Sequence, residues 1–178
     1  MIQHRTSIET VSYDLTIVVR DKIQFILELS STEIVITAFQ SLSELYIDGV
    51  DMGNLPNEDN GNLTDRIALP SMGRLIAVKG ATAIDSPCSG VLASVNDTYL
   101  VTNNLWKCSP YGYPDWTDLG YDDSSWPSAV EYGSNGNHMT CTEQIHFTDI
   151  SSTAQWIWTN DLTAFAVYCR GYLRKFGL

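Results

Sequence analysis

The residues of this chain that could do chemistry crowd into one stretch. Trp106 to Trp126 reads Trp-Lys-Cys-Ser-Pro-Tyr-Gly-Tyr-Pro-Asp-Trp-Thr-Asp-Leu-Gly-Tyr-Asp-Asp-Ser-Ser-Trp. Aromatic rings interleaved with carboxylates suit a pyranose, whose apolar face stacks on a ring while its hydroxyls hydrogen-bond to Asp. Tyr111, Tyr113, Trp116 and Asp115 are the candidate carbohydrate-binding residues, since glycine and proline neighbours favour their exposure. Trp106, Trp126, Trp156 and Trp158 read instead as plugs of a core, because burying an indole removes a large apolar area from water. Asp115, Asp118, Asp122 and Asp123 are candidate oxygen ligands for a structural calcium ion. The competing role is a turn capped by Asp122 and Asp123, with the other two solvated. Asn57, Glu58, Asp59 and Asn60 are a weaker second set that reads more simply as a polar loop.

No reactive centre is legible. A nucleophilic hydrolase needs Ser or Cys beside His, but there is no Gly-x-Ser-x-Gly elbow. His4, His138 and His146 lack metal-ligand spacing such as His-Glu-x-x-His. No glycine-rich phosphate loop precedes a helix. Twenty-one acidic residues offer many carboxylates, and nothing singles out two of them as a glycosidase pair. The expectation is a non-enzymatic protein without a cofactor, the candidate calcium apart.

Charge narrows the partners. The net charge is -11, with ten Lys and Arg scattered along 178 residues, which argues against nucleic acid and anionic membranes. No apolar run reaches the ~20 residues of a spanning helix. The length suits one sizeable core. Four cysteines, Cys88, Cys108, Cys141 and Cys169, have wide spacing and no Cys-x-x-Cys, so two disulfides are expected, with three pairings open. That points to an oxidising compartment. Asn62-Leu63-Thr64 and Asn96-Asp97-Thr98 are glycosylation sequons set among turn-forming residues, which makes Asn62 and Asn96 candidate glycan acceptors. The expected location is extracellular. Met1 to Thr6 contains no apolar core of signal-peptide length, so a processed product or part of a longer precursor is expected.

The elements that position these residues are strands. Period-two alternation dominates and helical periodicity is nearly absent. Alternation predicts strands over Val11 to Val19, Ile23 to Leu29, Glu33 to Phe39, Glu44 to Asp48, Arg66 to Leu69, Arg74 to Lys79, Gly90 to Val95, Tyr99 to Thr102, Ala154 to Thr159 and Ala164 to Leu173. Asp48-Gly49 fits a hairpin turn, and Asn60-Gly61 and Asn135-Gly136 mark polar loops. One short helical turn is predicted after Asp122-Asp123-Ser124-Ser125, with Pro127 at an early position. Residues 103 to 152 read as one long irregular insert. The fold class is therefore all-β, an antiparallel two-sheet sandwich with little helix.

A family resemblance adds to this. In order, Ile34-Thr37-Ala38, Glu44-Leu45-Tyr46-Ile47-Asp48-Gly49, Arg74-Leu75-Ile76-Ala77-Val78-Lys79-Gly80 and Gly90-Val91-Leu92-Ala93-Ser94 resemble the galactose-binding-like jelly-roll module of rhamnosidases and many extracellular proteins. Trp106-Lys107-Cys108, Tyr121 to Pro127, Ala154 to Trp158 and Val167-Tyr168-Cys169-Arg170 fit the later part. The resemblance spans residues 23 to 173. It implies a jelly-roll fold with a binding or structural role, catalysis belonging to other domains in multidomain glycosidases. It also places Trp-Lys-Cys beside Val-Tyr-Cys-Arg, which implies Cys108 bonded to Cys169 and Cys88 to Cys141.

Residues 1 to 22 depart from the resemblance, which begins near Ile23. The β-branched strand from Val11 to Val19 either joins its own sheet or adds to the sheet of a neighbouring copy, since an open edge of that composition invites pairing. The expected function is an extracellular structural glycoprotein that self-assembles, with copies of itself as partners and filaments as the product. The alternative is a lectin-like module with glycans as partners.

Overall fold

A strand presents successive side chains to opposite faces, so each alternating segment needs cover for one face or for both. The computed structural model describes residues 32–70, 73–83, 88–96, 99–142 and 144–173. Eleven strands run through them: β1 (Thr32–Ala38), β2 (Ser41–Ile47), β3 (Val50–Asp51), β4 (Asp65–Leu69), β5 (Leu75–Ala81), β6 (Val91–Val95), β7 (Leu100–Val101), β8 (Lys107–Ser109), β9 (Val130–Ser134), β10 (Gln155–Trp158) and β11 (Ala166–Tyr172). The first sheet has the order β4-β1-β6-β10-β9, with β7 also paired to β6, and the second has the order β3-β2-β5-β11-β8. Every pairing is antiparallel. The result is an all-β sandwich of two sheets, consistent with a jelly-roll-like arrangement, and no helix occurs among the described residues.

Each segment predicted as strand from Glu33 onward coincides with an observed strand to within a few residues. The predicted strands Val11 to Val19 and Ile23 to Leu29 lie outside the described residues, as does the boundary at residue 22. Asp48 and Gly49 both have positive φ, 50° and 83°, as a two-residue type I′ hairpin turn requires. The Asp48 carboxylate then accepts the N–H groups of Arg74 and Leu75 at 3.0 and 2.8 Å, tying the turn to the start of β5.

Two expectations need correction. The insert from 103 to 152 is not wholly irregular, since β8 and β9 lie within it; the first is three residues long and the second carries Gly133, so neither shows an alternating pattern. The helical turn expected after Asp122 is a single reverse turn. Trp126 N–H donates to the Asp123 carbonyl at 3.0 Å, and Ser124 N–H to Asp122 Oδ1 at 3.0 Å. One turn followed by Pro127 is too short to recover the cost of nucleating a helix.

The main core lies between the sheets. Ile34, Ile36, Val91, Ala93 and Val95 of the first meet Leu45, Ile47, Ile76, Val78 and Val167 of the second, with Trp106 and Trp158 fully buried among them. Each such Val, Leu or Ile side chain stabilises by about 1.5–3 kcal/mol relative to exposure. The intervening residues are buried as well: β6 is covered along its whole length, and so is β5 from Leu75 to Val78. Something must therefore cover the outer faces.

The insert does so, in two halves. On the outer face of the second sheet, Trp116, Trp126 and Tyr121 pack against Ala77, Tyr46 and Tyr168. On the outer face of the first, Phe147, Ile150 and Ile145 pack against Val35, Leu92, Phe39 and Trp156. The sandwich is thus enclosed between two loop layers.

Candidate functional site

The layer over the second sheet is organised by one side chain. In β11, Val167, Cys169 and Gly171 alternate with Tyr168, Arg170 and Tyr172, which places Arg170 outward from the main core yet fully buried beneath the loop. A buried guanidinium is tolerable only when paired and hydrogen-bonded. Arg170 Nε donates to Asp123 Oδ2 at 2.8 Å, Nη1 to the carbonyls of Trp116 and Asp118, and Nη2 to Tyr172 Oη at 2.7 Å. Tyr172 O–H in turn donates to Asp123 Oδ2 at 2.8 Å. The guanidinium also lies 5.1 Å from the Tyr121 ring centre. Its planar fork suits this work better than an ammonium would, since it satisfies several fixed carbonyls at once.

Of the four carbohydrate candidates, the structure exposes three. Trp116 is corrected: it is only 8 % exposed, stacked on Trp126 with centroids 6.5 Å apart and met edge-on by Tyr46 and Tyr168. Its indole gains more by burial against the sheet than Pro114 and Asp115 gain it in exposure. Tyr111 and Tyr113 are 66 % and 48 % exposed, and Asp115 is exposed with a left-handed φ of 61°. Gly112 between the tyrosines lies flat on Tyr168, where any side chain would collide with that ring. Ser109 Oγ accepts Tyr111 N–H at 3.1 Å and donates to the Tyr111 carbonyl at 3.0 Å. Two outward tyrosines are therefore mounted on an anchored turn.

The four aspartates expected as calcium ligands have different surroundings. Asp123 already has a cation in Arg170, Asp122 receives Ser124 N–H, and Asp115 and Asp118 are exposed. Among the described residues no three His, Cys, Asp or Glu side chains come together to hold a metal ion. In the second candidate set, Asn57 is engaged with Thr64 O and Asp65 Oδ1.

The other layer has two polar hubs, Asn135 and His138, which the sequence offered only as a polar-loop residue and as a histidine without metal-ligand spacing. Asn135 Nδ2 donates to the carbonyls of Phe147 and Ile150 at 2.8 and 2.9 Å, and its Oδ1 accepts Phe147 N–H at 2.9 Å. His138 is 3 % exposed, and its burial holds the imidazole below its ordinary pKa of 6.5. His146 is exposed, and His4 lies outside the described residues. The signal available for Arg170 and Asn135 was slight: a lone cation in an alternating strand, and an asparagine read only as turn chemistry.

One disulfide lies in the main core and the other at the base of an outer layer. Cys108 is joined to Cys169, its direct partner across the β8–β11 ladder, with Cα atoms 4.2 Å apart. Cys88 is joined to Cys141, Cα atoms 5.0 Å apart, across the base of the other layer. The sequon asparagines Asn62 and Asn96 are exposed, and Asn96 Oδ1 accepts Glu33 N–H at 3.1 Å. A cleft of about 210 Å³ lies between Leu100, Leu105, Trp106 and Tyr172, below the ~300–1,000 Å³ of ordinary small-molecule sites. No described helix is long and apolar enough to cross a membrane.

No family model matches the chain, and neither a curated protein nor a solved structure is significantly similar to it. The class defined by the structure is a two-sheet antiparallel sandwich with two disulfides.

Proposed function

We propose that this chain is a non-enzymatic, extracellular structural glycoprotein domain of the galactose-binding-like kind, which assembles with copies of itself through its N-terminal segment. The observation that carries this reading is the enclosure of both sandwich faces by loop layers, each with its own buried polar hub, with one disulfide in the core and one at the base of a layer. Broad binding faces are thereby used up internally, which leaves sheet edges for contacts between molecules. The alternating β-branched run from Val11 to Val19 suits addition to a neighbour's edge strand, a head-to-tail contact that propagates into filaments. Glycans on Asn62 and Asn96 and the two disulfides suit the same durable building block. Deleting residues 1 to 20 and measuring mass by light scattering tests it. High-mass species of the full chain are expected to fall to the mass of one chain, whereas an unchanged mass would end the proposal.

A lectin-like role is the second reading, favoured by the exposed pair Tyr111 and Tyr113 beside Asp115. It predicts glycan-array binding that weakens about tenfold in Tyr113→Ala, the size of one stacking contact of up to ~1.5 kcal/mol. Full binding retained by a Tyr111→Ala, Tyr113→Ala double variant would rule this surface out.

A further inference from the structure

We propose that His138 is an acid-operated latch, whose protonation releases the 135–150 layer and uncovers the outer face of the first sheet. The imidazole sits in a cage of rings, 5.7 Å from Phe39, 6.1 Å and parallel to Tyr132, and 5.5 Å from Trp156. Both of its nitrogens are engaged in a way that suits the neutral form. Nε2–H donates to the Ser89 carbonyl at 3.0 Å, and Nδ1 accepts Thr140 N–H at 3.3 Å. A proton on Nδ1 would set two N–H groups against each other. Thr140 Oγ1, also 3.3 Å away, can turn to accept it, but the Thr140 amide then loses its acceptor.

Ser89 and Thr140 adjoin Cys88 and Cys141 in sequence, so the imidazole clasps the same two segments as the disulfide. Gln144 completes the clasp, accepting His138 N–H at 2.6 Å and donating to the His138 and Cys141 carbonyls. No carboxylate among the described residues faces the ring. Phe39, Ser89, Trp156 and Thr140 do not titrate, and Tyr132 is pushed above its ordinary value by burial, so it is neutral throughout the acid range. Glu143 lies outside the described residues. His146 packs against Gly136 on the exposed side of the same layer and is the other described imidazole there.

The sign follows from burial. The opened form takes a proton at the ordinary value near 6.5, the closed form only at lower pH. Closure is therefore at full strength above that value and weakens as pH falls below it. What is uncovered is apolar: Val35, Leu92, Phe39 and Trp156.

The test uses the full chain and a water-soluble phosphine reductant, with thiols trapped by maleimide and located by mass spectrometry. The rate for Cys88–Cys141 is divided by that for Cys108–Cys169, which is wholly inside the main core and corrects for the reagent's own pH dependence. This ratio is expected to rise about tenfold or more between about pH 7.5 and about pH 5. His138→Phe keeps a ring in the cage but has no proton to gain, and is expected to give a flat ratio, as is His138→Gln. His146→Gln is expected to retain the rise. A flat ratio in the unaltered protein would overturn the proposal without recourse to any variant. So would a rise that persists in a folded His138 variant, or one that disappears in His146→Gln.

Discussion

Arg170→Met is expected to destabilise the protein by about 3–5 kcal/mol, the loss typical of breaking a buried ion pair from one side. Methionine fills much of the same space, so the effect isolates polarity from packing. It leaves the Asp123 carboxylate without its cation and the Trp116 and Asp118 carbonyls without their donor, beneath a layer that admits little water. Asp123→Asn in the same chain is expected to recover part of the loss by removing the orphaned charge. The ion pair of Arg66 with Glu33 provides the contrast. Its N···O distance is 3.6 Å and both side chains are about half exposed, so Glu33→Ala is expected to cost no more than ~1 kcal/mol. Urea unfolding followed by tryptophan fluorescence measures all three. Equal losses for Arg170→Met and Glu33→Ala would show that the insert is not held by the buried guanidinium.

Removing the Cys108–Cys169 bridge by paired alanine substitutions is expected to cost about 4 kcal/mol in the chain-entropy description for a loop of 61 residues. The bridge between Cys88 and Cys141 closes 53 residues and has nearly the same entropic weight. Location separates them. Cys108 and Cys169 belong to the main core, sharing it with Trp106, whereas Cys141 lies at the base of the outer layer over the first sheet. Loss of the first bridge is therefore expected to lower the midpoint of global unfolding. Loss of the second is expected to speed hydrogen exchange over residues 135–150 well before the sheets exchange. If both variants gave the same exchange map, the division into a core clamp and a layer clamp would be wrong.

Alternation in the sequence located the strands that cross the sandwich, because period-two burial follows directly from strand geometry. It could not say that β5 and β6 are covered on both faces, although the unbroken apolar run Val91-Leu92-Ala93 hints at it. The cover comes from residues remote in sequence, and which half of the insert lies on which sheet depends on β8 pairing with β11 and β9 with β10. No local pattern encodes those pairings. The aromatic and acidic stretch was legible as a place of contacts but not as to their direction. Trp116 turned inward because Ala77 leaves room on the sheet for an indole, while Tyr111 and Tyr113 stayed outward because Gly112 occupies the space over Tyr168. The aspartates read as calcium ligands because carboxylates cluster in sequence, and the cation that one of them holds, Arg170, stands 47 residues away.

The claim on which the rest depends is that loop layers enclose the sandwich, with one disulfide clamping the core and the other clamping a layer. Peptide mapping of the unreduced chain, digested at acid pH to prevent thiol exchange, tests it most directly. The account predicts linked peptides joining Cys88 to Cys141 and Cys108 to Cys169, with no free thiol. A link from Cys88 to Cys108 or Cys169, or any unpaired cysteine in native material, would contradict it.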